Sequence, residues 1–325
     1  MNILGTIKGQ EKAVNYLRNS ARKKRVANAY LFVGPDGTGK STVARGFLAE
    51  LFCQGSESGK TACGACPNCR RISENAHPDI KWITQEGTAR IGIDEIKEIR
   101  EFLSLKPYES RYSAVVIDNA HQMTQESSNA LLKVLEEPPG DSLIILLTNR
   151  KEWLLPTIIS RAAEVRFSPV GKDDIIDIVM GKLGIEKAEA EFLSSYSGGS
   201  PGTAILMAGE DLELKRKALR SVTAEILKKG DPSLAVWPEE DRTNLIQQMD
   251  HLLILIRDIA YKKLSLDEYI IEKGVLSEDM AECTEKYSID RIYGMITKLI
   301  ALKRAVEGNV NPKLVSSVLP GEVFG

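Results

Sequence analysis

Gly34-Pro35-Asp36-Gly37-Thr38-Gly39-Lys40-Ser41 satisfies the pattern G-x-x-x-x-G-K-[ST] at every fixed position. No other stretch constrains the fold as tightly, because this loop works only between a buried strand and a helix. Ala29 to Val33 is a short apolar run ending at Gly34, which reads as that strand. Ser41 to Leu51 places Val43, Phe47, Leu48 and Leu51 at helical spacing. In such a loop, consecutive backbone N–H groups at a helix N-terminus point at phosphate oxygens. Glycines permit the close approach and the positive φ that a Cβ would block. Gly34, Gly37, Thr38, Gly39, Lys40 and Ser41 are therefore the expected contacts to ATP or ADP. Lys40 is expected to reach the β- and γ-phosphates, and Ser41 to offer its hydroxyl to Mg²⁺.

Twelve residues past Ser41 begins a second chemistry-bearing cluster: Cys53, Cys63, Cys66 and Cys69, spaced C-x9-C-x2-C-x2-C. Four thiolates suit tetrahedral zinc and leave no open position, so the expected metal is structural and not catalytic. Cys63 to Cys69 would turn tightly around it, and Cys53 would close the site from the end of the preceding helix. His77, just ahead of Pro78, is expected to be a surface or turn residue. Cys283 stands alone and reads as a small, partly buried side chain among helices.

Alternation of strand and helix signals continues beyond the cysteines. Ile80 to Ile83, Ser113 to Asp118 and Leu143 to Leu147 read as strands. Helices are expected at Gln10 to Ala21, from Ile93 through Leu105, and over Ser127 to Glu137, the last stopped by Pro138-Pro139. This order implies a parallel sheet with helices on both faces. Asp118, ending a strand, is placed to hold Mg²⁺ directly or through water. Asn119 follows it; an amide can hydrogen-bond water but cannot serve as a carboxylate base, so hydrolysis is expected to be poor. Past Phe167-Ser168-Pro169 only helical patterns are expected. These are Asp173 to Leu183, Lys187 to Tyr196, and long amphipathic helices from Leu212 onward. One of the long helices carries Leu245, Met249, Leu252, Ile256 and Ile259, and another Ile289, Ile292, Ile296, Leu299 and Ile300.

At 325 residues the chain exceeds what one core usually serves, so two or three domains are expected. Boundaries near 168 and 209 divide it into an α/β P-loop domain (1–168, with the metal module at 53–69), a small helical segment (169–209) and an all-α C-terminal domain (210–325). The formal net charge of −2 supplies no overall basic field, so any DNA contact must be local or shared with partners. No apolar stretch reaches the roughly 18 residues of a membrane span, and Met1 to Gly5 lacks the look of a secretory leader. Four clustered cysteines need no oxidising compartment, and a cytoplasmic location is expected.

Taken together, these motifs resemble the clamp-loader subunits of bacterial DNA polymerase III, in the AAA+ superfamily. The resemblance rests on Gly9-Gln10, Ala29 to Ser41, the four cysteines, His77-Pro78-Asp79 and Ile91 to Ile96. It continues through Val115 to His121, Asn129 to Pro139 and Ser160-Arg161. It implies a helical lid at 169–209 and a helical collar at 210–325. It also implies a sensor 1 position at Thr148-Asn149, and an arginine finger at Arg161 that reaches a neighbouring subunit's ATP. Within the family the match is to the delta-prime branch more than to the tau/gamma motor. In the motor, Asp is followed by Glu where this chain has Asn119. The motor also has a lid arginine where Ser200-Pro201-Gly202-Thr203 has none, and a long tail where this chain stops at Gly325. The implied partners are delta and tau/gamma subunits in a hetero-pentamer, with the sliding clamp and primer-template DNA reached through that complex. The implied role is a stator with little turnover of its own; the competing expectation is a motor that hydrolyses ATP in cis.

Overall fold

The computed structural model describes residues 4–55, 61–84, 90–208, 242–267, 270, 284–308 and 310–324. The chain divides into two compact units, Met1–Ile205 and Leu206–Gly325. No helix among the described residues is long and apolar enough to cross a membrane.

In the first unit, strands β1 (Ala29–Val33), β2 (Ile80–Ile83), β3 (Ser113–Ile117), β4 (Ser142–Thr148) and β5 (Ala163–Arg166) form one sheet, ordered β2-β3-β4-β1-β5. Every neighbouring pair is parallel. Strands β3 and β4 are buried at every position, as expected where helices cover both faces of a parallel sheet. The period-two alternation sends Tyr30, Phe32, Val116, Ile145 and Leu147 to one core with α1 (Glu11–Arg22) and α2 (Lys40–Phe52). Leu31, Val115, Ile117, Ile144 and Leu146 go to the opposite core, with α4 (Ile93–Ser104) and α5 (Gln125–Glu136). Two short helices, α3 (Pro67–Ser73) and α6 (Pro156–Ile159), complete the α/β part. Helices α7 (Lys172–Leu183), α8 (Lys187–Tyr196) and α9 (Pro201–Ala208) follow.

Several boundaries differ from the sequence reading. β5 was not expected: Ala-Glu-Val-Arg has a single large apolar residue, and as an edge strand only its Val165 is buried. Helix α5 begins two residues before Ser127 because Thr124 caps it, its hydroxyl accepting from the Ser127 amide at 3.1 Å. Leu105, counted on the apolar face of α4, lies just past that helix and is 68% exposed.

The second unit contains α10 (Arg242–Lys263), α11 (Ile289–Glu307) and α12 (Pro312–Phe324). Leu245, Met249, Leu252, Ile256 and Ile259 form the expected stripe and pack with Ile292, Met295, Leu299 and Leu319. On α11 the buried face is narrower than its spacing suggested, because Ile289 and Ile300 are exposed. Cys283 and the helices expected between Leu212 and residue 241 lie outside the described residues.

Candidate functional site

The carboxyl ends of β3, β4 and β1 lie side by side and carry Asp118, Thr148-Asn149 and the phosphate-binding loop. That edge is where ligands of open parallel sheets bind. Gly34 leaves β1 with its amide donating to the Thr148 carbonyl at 3.1 Å. Gly37 and Gly39 adopt φ of +67° and +97°, a region that favours glycine, and α2 starts at Lys40. Thr38 is buried, and its hydroxyl donates to the Pro35 carbonyl at 2.7 Å. Gln10 ties the loop from behind: its amide nitrogen donates to the carbonyls of Thr38 (3.2 Å) and Ser168 (2.7 Å).

Lys40 is 7% exposed, and its ammonium donates to the Gly34 and Pro35 carbonyls at 2.7 and 2.8 Å. Burial pulls its pKa down, against the opposing pull of Asp36 and Asp118. Asp36, which the sequence reading did not single out, lies 3.5 Å from that ammonium and accepts from the Asn149 amide nitrogen at 2.5 Å. The other amide atom of Asn149, Oδ1, is buried without a protein partner.

Asp118 is half-buried just past β3, and its carboxylate accepts from the Asn119 amide at 2.9 Å. Asn119 itself is left-handed, with φ +51°, a conformation asparagine tolerates. Thr148 is fully buried; its hydroxyl pairs with His121 Nδ1 at 3.2 Å and accepts from the Arg150 amide at 3.0 Å. That engagement leaves Asn149 as the member of the pair facing the loop. Burial, followed by the charge of Arg150, lowers the His121 pKa and keeps the ring neutral at physiological pH.

A cavity of about 700 Å³ opens beside the loop, within the range of small-molecule sites. Its walls are the segment Thr6 to Lys8, the loop from Gly37 to Thr42, and Ile178, Pro201 and Ile205 of α7 and α9. Lys8 and Asp177 meet across the rim at 2.5 Å. The start of α9 touches the loop directly, with the Gly202 amide donating to the Gly37 carbonyl at 2.9 Å. A Cβ at Gly202 would stand 2.8 Å from Gly37 Cα, so any larger residue there would displace this contact.

The four cysteines converge as their spacing suggested, with every sulfur within 4.8 Å of the others and Cys53 4.0 Å from Cys66. Tetrahedral zinc with four thiolates separates the sulfurs by about 3.8 Å, so this donor set fits a closed metal site after slight contraction. Backbone amides of Cys63 and Cys66 donate to the sulfurs of Cys53 and Cys63, both at 3.3 Å. Burial opposes ionisation of Cys66, but amide and thiol donors around it prevail and lower its pKa to about 6. Burial and the neighbouring Cys66 push Cys69 upward. Asn68, 1% exposed, anchors the module by donating to the Phe52 carbonyl at 2.9 Å.

His77 is not a surface residue. It is 3% exposed, edge-on to Phe52 at 5.2 Å, and its Nδ1 accepts from the Asp79 amide at 3.1 Å. Proximity to Pro78 suggested a surface or turn position, but the ring is buried against Phe52 at the end of α2. Asp79 is also buried, accepting from the amides of Tyr108 (2.6 Å), Glu109 (3.0 Å) and Ser110 (2.9 Å).

Arg161 follows α6, away from the glycine loop in sequence. One guanidinium nitrogen donates to the Thr157 carbonyl at 3.0 Å, and another meets the Glu136 carboxylate, at the end of α5, at 2.7 Å. Both partners are partly exposed, so this ion pair is a light tether.

A family model described as DNA polymerase III, delta subunit, matches residues 9–171. The delta-prime subunit of DNA polymerase III from Bacillus subtilis is 27% identical over 308 residues, covering 93% of this chain and 92% of that protein. The tau subunit of the same organism is 26% identical over 336 residues, covering 95% of this chain but 59% of tau. A delta-prime subunit from Pseudomonas aeruginosa is 33% identical over 204 residues, 62% of each chain.

Proposed function

This chain belongs to the DNA polymerase III delta-subunit family, and we propose that it serves as the delta-prime subunit of a clamp loader. In that role residues 1–168 are the AAA+ base, 169–209 the lid, and 210–325 the collar that joins delta and tau/gamma subunits. The assembly would open a sliding clamp and place it on primed DNA in the cytoplasm. Arg161 would reach the ATP of an adjacent subunit, stabilising charge that develops on the transferred phosphoryl group.

One observation carries the stator reading: the Gly202 amide rests on the Gly37 carbonyl, at the place where the resembling motor subunits carry a lid arginine. Ser200-Pro201-Gly202-Thr203 therefore brings no arginine to that position to meet a γ-phosphate. Asn119 supports the same reading by providing an amide where hydrolysis calls for a carboxylate base. ATP or ADP with Mg²⁺ is then a bound ligand held by Gly37 to Ser41, with Asp118 toward the metal. A structural Zn²⁺ held by Cys53, Cys63, Cys66 and Cys69 would fix the module after α2.

The competing reading is a tau/gamma-type motor hydrolysing ATP in cis, and the tau relative is nearly as similar as the delta-prime one. A steady-state ATPase assay on the isolated chain separates the two. Turnover of roughly 1 s⁻¹ or faster, well within ordinary enzyme rates, would establish the motor. Turnover far below that supports the stator.

A further inference from the structure

Asp36 sits inside the phosphate-binding loop at a position where a carboxylate has a chemical consequence. Its Oδ1 lies 3.5 Å from the Lys40 ammonium, and its Oδ2 accepts from the Asn149 amide at 2.5 Å. These are the two groups that a terminal phosphate in this loop would need, one cation and one neutral donor. The carboxylate thus occupies the neutral donor and lies beside the cation, whose own hydrogen bonds go to the Gly34 and Pro35 carbonyls. A diphosphate would rest on the backbone N–H groups of Gly37 to Ser41 and draw Lys40 to its β-phosphate, leaving the Asp36–Asn149 hydrogen bond in place. A triphosphate would in addition have to free Asn149 from Asp36 and hold its terminal charge beside that carboxylate.

We propose that Asp36 is a specificity-determining residue that sets this site against a γ-phosphate, so that the chain holds a nucleoside diphosphate in preference to the triphosphate. This rests on reading the loop and its cavity as a nucleotide site. Asn149 Oδ1 is buried without a protein partner, so the bond to Asp36 is what orients this amide toward the loop. The alternation of roles is local and electrostatic, and needs no movement of the sheet. Because the Asp36 side chain is 68% exposed, solvent screens it, and the discrimination is expected to be moderate.

The test is direct titration of the purified full chain with ADP, ATP and a non-hydrolysable ATP analogue, each with Mg²⁺, by calorimetry. The unmodified protein should bind ADP roughly tenfold or more tighter than either triphosphate. Asp36→Asn keeps the shape and removes the charge; it should tighten both triphosphates roughly tenfold while changing ADP by less than about threefold. Circular dichroism and zinc content of the variant should match the unmodified chain. Equal affinity for ADP and ATP in the unmodified protein would overturn the proposal, as would an Asp36→Asn variant that retains the original ratio. Tighter triphosphate than diphosphate binding that weakens in Asp36→Asn would show Asp36 serving Mg²⁺, and would overturn it too. Failure of every nucleotide to bind both proteins would refute the nucleotide site itself, and this inference with it. Triphosphate binding that appears only in Asp36→Asn would support it.

Discussion

Asp79 is 4% exposed, and its carboxylate accepts from three consecutive amides, those of Tyr108, Glu109 and Ser110. Burial alone would raise its pKa, but these donors outweigh it and hold the carboxyl below its ordinary range. A depressed folded pKa contributes stability above the unfolded value and loses it as pH falls through the folded one. Its contribution is therefore complete at neutral pH, begins to fall near the ordinary Asp value of about 4, and is lost as pH drops through the depressed folded value. Asp79→Ala should lower stability by about 1–3 kcal/mol by leaving the three donors short of a partner. Urea unfolding at neutral pH checks this, and an unchanged midpoint would contradict it. Neither Asp79 nor its neighbour His77 was legible as a buried residue, because a polar pair flanking proline carries the composition of a turn. The place of Lys40 at the start of α2, by contrast, was legible from its motif alone, since it stands at a fixed offset within eight residues. Asp36 was not, because its partner Asn149 stands 113 positions away.

At the scale of elements, strands β1 to β4 were visible as short apolar runs, and helices α1, α2 and α4 by apolar residues at helical spacing. Helix α3, at 7 residues, and α6, at 4, are too short to show a period, and they are held by neighbours instead. The contact between α9 and the loop was invisible for a different reason. It is a backbone hydrogen bond between Gly202 and Gly37, and residue type reveals only that no side chain obstructs it. The cysteine module lies between these extremes: the candidate donor set follows from spacing, while the approach of Cys53 to Cys66 depends on where α2 ends. The purified, tag-free protein should hold one zinc per chain, and Cys66→Ser should lose most of it, since a vacated thiolate weakens metal binding and local folding together. Metal analysis well below one equivalent in the unmodified protein would refute the structural-zinc assignment. Full zinc retention in the variant would show that Cys66 is not a ligand.

For the whole molecule, the first unit carries the sheet, the loop, the cavity and Arg161, and the second unit is a separate helical core. In the proposed stator role, a chain with an intact phosphate loop but no carboxylate after Asp118 would act on a neighbour's nucleotide more than on its own. Arg161 is the residue on which that claim turns. Its tether to Glu136 is partly exposed, so Arg161→Ala should leave folding, zinc content and assembly with delta and tau/gamma subunits intact. Arg161→Lys should recover only part of the lost function, because an ammonium lacks the planar fork that spans two phosphate oxygens. The most direct measurement is the ATPase and clamp-loading rate of the complex reconstituted with Arg161→Ala. An arginine finger is worth about 10³–10⁵ in rate at the site it serves. Hydrolysis at the site facing this subunit should therefore collapse, and clamp loading should fall more than ATP binding does. Unchanged hydrolysis and loading in that complex would contradict the account and leave the chain a purely architectural subunit.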